Sequence, residues 1–393
     1  MGELIALPSL EELPPIDPIA DQHILDEIDP IVTPLVNRHV NPKRFRDDEL
    51  RDQVPTVTDY MGDNSNLWTP ALMVPWSAGE NFTPSYVWTP EESGLPEAGR
   101  SALILADLTE DALPWYSEAL VRNFGPSEPL NFFVRVWTGE EDRHSQFLQA
   151  YILMSRFLDP VQLERDRMQN MITAQVPDPP SVIESAIYVT WQELATRIAH
   201  QNTLTLIADT APEDERIVKL GEDGTTLANV EPVEVHRLEP EARVAYLRQV
   251  IRAGMLRIVG DENKHYAFYQ DTVKGAIDID ASTVVKAAER QFRKLDMPGS
   301  GIRQFMHHAI IAANAGILDP RSIRDQVALP ILKKWDIEHL EGLDGEAEQA
   351  RERLFAHMAN LDVGASLFEE QRDAYRAEHI DDPEAIWVGK QAA

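Results

Sequence analysis

Two short segments of the chain pair a carboxylate with an imidazole at the same spacing: Glu140-Glu141-Asp142-Arg143-His144 and Asp261-Glu262-Asn263-Lys264-His265. On a helix, Glu141 and His144, or Glu262 and His265, point the same way about one turn apart. Such a pair of Glu-x-x-His units, joined by one Glu from each of two other helices, is the ligand set of a carboxylate-bridged di-iron bundle. The chemistry this predicts is oxygen activation at two metal ions.

The spacing alone is weak, and helical phase gives it weight. Val134, Trp137, Glu141, His144, Leu148 and Tyr151 advance in steps of three and four, as do Ile251, Met255, Ile258, Glu262, His265 and Tyr269. That is the stripe a helix turns toward a core. Leu103, Ala106, Glu110, Leu113 and Leu120 form a third stripe, and Ala186, Val189, Glu193, Thr196 and His200 a fourth. Four inward Glu and two inward His make six ligands for two metals. The rival reading is a bundle with buried salt bridges. No Lys lies on these stripes, however, and Arg143, Arg197 and Lys264 fall out of phase. Clustered carboxylates without cations repel one another and raise their pKa values. Oxygen and imidazole ligands suit iron, manganese or zinc; the carboxylate-rich pair favours iron, with manganese as a possible substitute. Glu140 and Asp261 each precede a ligand Glu. They are placed to accept the free N–H of the opposite ligand imidazole and fix its orientation.

The elements that must hold these residues are helices, and strand patterns are scarce. We expect an all-α, ferritin-like four-helix bundle elaborated with additional helices. The core helices are expected over Ala98–Phe124, bent at Pro114, and over Ser127–Leu158, Ser181–Ala208 and Pro240–Ala276. Further helices are expected over Leu25–Val40 (weakened by Pro30 and Pro34), Ala281–Leu295, Gly301–Ala315 and Pro320–Trp335. Residues 1–25 read as an extended or poorly ordered arm, 26–345 as the bundle domain, and 346–393 as a C-terminal helix and tail, the helix spanning Gly345–His379. Residues 209–239 look like an insertion between the third and fourth core helices.

Composition narrows the rest. The 393 residues contain no cysteine, which removes disulfides, thiolate metal sites and cysteine-held clusters. Any metal is held by oxygen and nitrogen, and electrons must come from another protein. A net charge of −30 argues against nucleic-acid binding. No apolar run is long enough to span a bilayer, and no secretory or transit segment is evident. A cytoplasmic location is expected.

Beyond the ligand spacing, the chain resembles the soluble acyl-acyl carrier protein desaturases of plants and actinobacteria. Leu108-Thr-Glu-Asp-Ala-Leu-Pro-Trp-Tyr116, Trp137-Thr-Gly-Glu-Glu-Asp-Arg-His144, Trp191-Gln-Glu-Leu-Ala-Thr-Arg197 with His200-Gln-Asn-Thr203, and Asp261-Glu-Asn-Lys-His265 are similar to that family's four ligand helices. Val74-Pro-Trp-Ser and Leu329-Pro-Ile-Leu-Lys-Lys-Trp335 look closest to the actinobacterial branch. The resemblance covers about residues 30–345. It implies iron ligands Glu110, Glu141, His144, Glu193, Glu262 and His265, and a threonine beside the irons at Thr196, linked to oxygen activation. It implies an electron path through Trp68, Asp261 and His144; Trp137 and Glu140 join these as neighbours of the site. The usual Asn after the second ligand Glu is Asp142 here, and the 209–239 insertion is longer than the family's connection.

The implied reaction removes two hydrogens from an acyl chain on acyl carrier protein. It leaves a cis double bond and consumes dioxygen and two electrons from a ferredoxin-type donor. The family suggests a homodimer. Docking of an acidic carrier on an acidic protein needs a local basic patch, with candidates at Lys43-Arg44-Arg46, Arg165 with Arg167, Arg290-Arg293-Lys294 and Lys333-Lys334. Two alternatives stay open: a di-iron hydroxylase or N-oxygenase of the same fold, and a non-catalytic iron-handling bundle.

Overall fold

The computed structural model describes residues 4–62, 67–174, 176–209, 239–294, 299 and 301–379. Among them are nine helices of ten residues or more and no strand. We number these α1 (Pro18–Val40), α2 (Glu97–Glu110), α3 (Leu113–Phe124), α4 (Glu128–Ser155), α5 (Pro160–Thr173), α6 (Val182–Asp209), α7 (Pro240–Lys294), α8 (Phe305–Asn314) and α9 (Gly345–Glu378). No described helix is long and apolar enough to cross a membrane. The expected insertion lies almost wholly outside the described residues, as does the tail beyond 379.

Four helices, α2, α4, α6 and α7, form the bundle, and α6 lies along α7. Two apolar clusters fill it. One holds Ile24, Val36, Phe133, Ile187, Phe268 and Trp335, contributed by α1, α3, α9 and one end of the long helices. The other holds Trp68, Leu103, Phe147, Tyr246 and Ile251 at the opposite end. Between them, at 107–110, 140–144, 193–200 and 261–265, every helix of the bundle buries polar side chains.

Several boundaries differ from the sequence reading, each for a local reason. The helix expected from Leu25 begins at Pro18, because Asp17 caps it (Oδ1 accepts from Ile19 N, 2.9 Å) and Pro18 sits where no N–H is needed. Pro30 and Pro34 do not stop α1; Ile24, Ile28, Val32, Val36 and Val40 recur every four residues, and their burial holds it. The preceding stretch is extended but tied down. Arg290 donates to the carbonyls of Leu13 and Pro14 at 3.3 Å, and Asn360 bonds both backbone groups of Ile5. The helix expected over Ala98–Phe124 is two helices, broken at Asp111 and Ala112. The Pro114 ring would collide with the Glu110 carbonyl, so Glu110 ends α2 and Pro114 opens α3. The two helices expected over 240–295 follow one another directly in α7, separated only by the non-helical Asp280 (φ −147°, ψ 86°), whose carboxylate caps the second by accepting from Thr283 N. Within Pro320–Trp335 the middle, Ile323–Ala328, is π-helical. Pro330 has no N–H to offer Gln326, and the ladder widens ahead of it, Leu329 N bonding Arg324 O.

One glycine sets how closely α4 and α7 approach. A Cβ on Gly254 would stand 1.8 Å from the Phe147 ring. Gly254→Ala is expected to destabilise the protein by about 1–3 kcal/mol through overpacking. Gly364→Ala in α9, with nothing within 4 Å of the new methyl, is expected to stabilise by about 0.5–1 kcal/mol. Denaturant melts of both variants check the contrast; equal effects would contradict this account of the α4–α7 contact.

Candidate metal centre

Glu141 and His144 occupy the inner face of α4, Glu262 and His265 that of α7, Glu193 that of α6, and Glu110 the last turn of α2. All six are buried. Glu110, Glu141, His144 and Glu262 each bring one ligand atom within 4.8 Å of the others, and so do Glu141, Glu193, Glu262 and His265. Glu141 and Glu262 belong to both groups. His144 Nδ1 lies 3.3 Å from Glu141 Oε2, 3.3 Å from Glu262 Oε1 and 3.7 Å from Glu110 Oε2. His265 Nδ1 lies 2.7 Å from Glu141 Oε1 and 3.4 Å from Glu193 Oε2. The Nδ1 atoms of both imidazoles, Glu141 Oε1, Glu193 Oε2 and Glu262 Oε1 are buried and have no hydrogen-bond partner. Oxygen and nitrogen donors drawn from four helices into one buried cluster are a set that fits two divalent cations.

Each ligand imidazole turns its other nitrogen to an acid on the opposite helix. His265 Nε2 lies 2.9 Å from Glu140 Oε2, and His144 Nε2 lies 3.6 Å from Asp261 Oδ2. Asp261 Oδ2 also accepts from Trp68 Nε1 at 2.7 Å, and Trp68 stacks near His144 with ring centroids 6.4 Å apart. Trp137 Nε1 donates to Glu193 Oε1 at 2.8 Å. Thr196 Oγ1 donates to Glu262 Oε2 at 2.5 Å. His200 Nε2 lies 2.8 Å from Glu110 Oε1. The six expected ligands, with Trp68, Trp137, Glu140, Thr196 and Asp261, thus stand at this one centre. Asp142 is exposed and faces away.

Several residues at the centre were not foreseen. Arg143, out of phase with the ligand stripe, is nevertheless buried between the two outer acids, 3.4 Å from Glu140 and 3.9 Å from Asp261. Lys264 bonds Asp261 at 3.1 Å. His39 and Tyr60 bond Glu140 from a part of the chain with no ligand motif. His200 lay on an inward stripe, and that was the one available signal for it. Asp107 is buried with neither oxygen partnered; burial, then Asp111 and Glu110, push its pKa well up.

The electrostatics follow the packing. Burial, then the charge of Glu262, raises Glu141; burial, Glu262 and Glu141 raise Glu193 well above the carboxylate range. Burial opposes charging His144 and His265, but the surrounding carboxylates, Glu141 foremost, outweigh it and raise both. Burial also opposes ionising Glu110, Glu140 and Asp261, yet their histidine partners outweigh it and lower all three.

Beside the centre is an apolar cavity of about 190 Å³. Glu110, Thr196 and His200 form its polar end, and Ala106, Phe305 and Ile317 are among its apolar walls. Of the basic residues considered for docking, Arg44 is buried against Asp59, and Arg167, Arg290 and Arg293 are paired with Glu164, Glu184 and Glu289. Lys43, Arg46, Arg165, Lys294, Lys333 and Lys334 are exposed.

The family model described as fatty acid desaturase matches residues 48–221 and 239–384. DesA1 of Mycobacterium tuberculosis is 27% identical over 361 residues, covering 89% of each chain. The chloroplastic stearoyl-[acyl-carrier-protein] 9-desaturase of Olea europaea is 25% identical over 308 residues, 74% of this chain and 69% of that one. The X-ray structure of DesA2 from Mycobacterium tuberculosis superposes with a TM-score of 0.53 at 19% identity, covering 83% of this chain and 98% of that one.

Without metal, the raised groups make the centre a proton store. Stabilisation from His144 and His265 is complete below their ordinary 6.5 and is lost as pH rises through their raised values. That from Glu141 and Glu193 starts to be lost above 4.5. The lowered Glu110, Glu140 and Asp261 act oppositely, losing their contribution as pH falls below 4.5 for the glutamates and 3.8 for the aspartate. The melting temperature of metal-free protein is therefore expected to fall as pH is raised above 6.5 and to fall again in acid. A flat profile above 6.5 would contradict this assignment of charge.

Proposed function

This chain belongs to the fatty acid desaturase family, and from that premise we propose that it desaturates an acyl chain carried on acyl carrier protein. Per turnover, the chain loses two hydrogens from adjacent carbons, dioxygen takes up these with two electrons and two protons, and a cis double bond and two waters result. The observation that carries this reading is the convergence of Glu110, Glu141, His144, Glu193, Glu262 and His265 in one buried cluster, with Glu110 opening on an apolar cavity. It is supported by the chloroplastic relative, whose name specifies an acyl-[acyl-carrier-protein] substrate.

We assign the six side chains as those that would hold two iron ions, with manganese as a possible substitute; Glu141 and Glu262 belong to both donor groups. When bound, the irons supply the reduction of dioxygen. The protein's own share is positioning. The cavity walls would hold the acyl chain against the centre and exclude water, so that one pair of carbons faces Glu110 and Thr196. Thr196 holds the Glu262 carboxylate through its hydroxyl and presents that hydroxyl where the cavity meets the metals. Trp137 holds Glu193 in the same manner from the apolar side. Trp68 donates to Asp261 and stacks near His144, whose Nε2 lies 3.6 Å from Asp261, and we assign these three as the electron route from a ferredoxin-type donor. We further propose that the protein acts as a homodimer in the cytoplasm and that the acidic carrier is met by exposed cations among Lys43, Arg46, Arg165, Lys294, Lys333 and Lys334.

The test supplies iron-loaded protein with acyl carrier proteins bearing chains of several lengths, ferredoxin, its reductase and oxygen. Mass spectrometry is expected to find one acyl length that loses two hydrogens. An unchanged acyl chain at every length would sink the desaturase reading, and a product that gains oxygen would turn it into a hydroxylase.

Thr196→Val is expected to retain both irons and slow turnover by about 10–100-fold, the scale of losing a partner that orients a ligand. Single-turnover rates with iron content measured in parallel check this; parental rates would remove Thr196 from the mechanism.

A further inference from the structure

Glu140 is the most heavily held side chain around the centre, and two of its partners, His39 and Tyr60, come from outside the four-helix bundle. Its Oε2 atom lies 2.8 Å from His39 Nε2 and 2.9 Å from His265 Nε2. Its Oε1 accepts from the Tyr60 hydroxyl at 3.0 Å, with Arg143 at 3.4 Å. These are hydrogen-bond lengths, so His39, Glu140 and His265 form a hydrogen-bonded triad; they are not a third ion site. The His39 ring is itself fixed, edge-on to Phe133 (centroids 5.0 Å apart, 80°) and stacked toward His265 (5.6 Å, 27°).

The chain spends an unusual amount of structure on delivering these two groups. His39 sits in the last turn of α1, a helix held by its apolar stripe. After it, residues 41–61 fold back over α1. The buried Asn37 amide donates to the carbonyls of Leu50 (3.3 Å), Arg51 (2.7 Å) and Gln53 (2.8 Å), and its oxygen accepts from Arg44 Nε (2.8 Å). Arg44 then pairs with Asp59 (3.0 Å), which caps the short helix Val57–Met61 by accepting from Thr56 N. Tyr60 follows Asp59 directly. A strap fastened at both its middle and its end thus presents one phenol to one carboxylate oxygen.

We propose that His39 and Tyr60 are positioning residues that lock His265 through Glu140 and thereby set the affinity of one metal position, the one formed with Glu193. The argument rests on reading the six side chains as metal ligands. It makes the two positions independently supported: Trp68 and Lys264 steady Asp261 behind His144, while His39 and Tyr60 steady Glu140 behind His265. A ligand imidazole whose outer N–H is held keeps its tautomer and ring orientation, and losing that hold weakens metal binding by about 10–100-fold.

The experiment titrates full-length, metal-free protein anaerobically with ferrous ion and, separately, with Mn(II), counting free Mn(II) by electron paramagnetic resonance. The parent is expected to take up two equivalents. His39→Leu and Tyr60→Phe are expected to weaken one equivalent and spare the other, the former by about 10–100-fold. His39→Gln, whose amide N–H can still donate to Glu140, is expected to recover most of the loss. Combined with His265→Ala, His39→Leu should add nothing further, as for two changes acting through one ligand. Circular dichroism of each metal-free variant checks folding, and Tyr60→Phe, at a half-buried site, serves if His39→Leu does not fold. Two equivalents bound at parental affinity in a folded variant, or both weakened alike, would overturn the inference alone. A parent that binds no metal would overturn it together with the ligand assignment.

Discussion

The structure is organised around the burial of four carboxylates in one place. Glu110, Glu141, Glu193 and Glu262 meet in a layer closed above and below by apolar clusters, with no cation among them. Taking a charge out of water costs several kcal/mol per ion even after relaxation, and like charges at this distance add to it. Such a layer survives only if positive charge is supplied, either by protons on the carboxylates and imidazoles or by metal. Both imidazole Nδ1 atoms and one oxygen each of Glu141, Glu193 and Glu262 are left without hydrogen bonds in this layer. Such a cluster is one that a metal could occupy, and protons can balance it otherwise.

The charge balance extends one layer out. Four glutamates match two divalent ions. Beyond them Glu140 and Asp261 add two negative charges, and Arg143 and Lys264 stand against these acids. Arg143 lies between both, 3.4 Å from Glu140 and 3.9 Å from Asp261. The exchange of partners is reciprocal: the acid of α4 reaches the imidazole of α7, and the acid of α7 turns toward that of α4. The helices are thereby tied across the very layer whose repulsion would separate them.

How much of this was legible follows from range. Glu141, His144, Glu262 and His265 announce themselves by spacing, and Glu110 and Glu193 by helical phase, because a helix converts sequence period into a face. The pairing of Glu140 and Asp261 with opposite imidazoles follows from the same geometry one residue earlier. Arg143 defeated the phase argument because a long side chain can reach the buried layer from a position whose backbone lies off the stripe. His39 and Tyr60 carry no periodic mark; they arrive by tertiary folding of α1 and the strap behind it. The break after Glu110 was read as a bend. Pro114 marked the place, but whether a proline kinks or ends a helix depends on what the freed ends pack against, which local sequence does not encode.

That break gives the centre its asymmetry. Glu141, Glu193 and Glu262 project from the interiors of long helices, whereas Glu110 hangs from the last residue of α2. Its backbone has no following turn to brace it, and one of its oxygens is held by His200 in the cavity wall. The half of the centre formed by Glu110 and His144 therefore meets the cavity through Glu110. The other half, formed by Glu193 and His265, faces the aromatic core and is braced by Trp137, Glu140 and His39. Pro114, by ending α2 at Glu110, thus places one carboxylate of the cluster at the mouth of the cavity, while the carboxylate of Glu193 is held from the aromatic side.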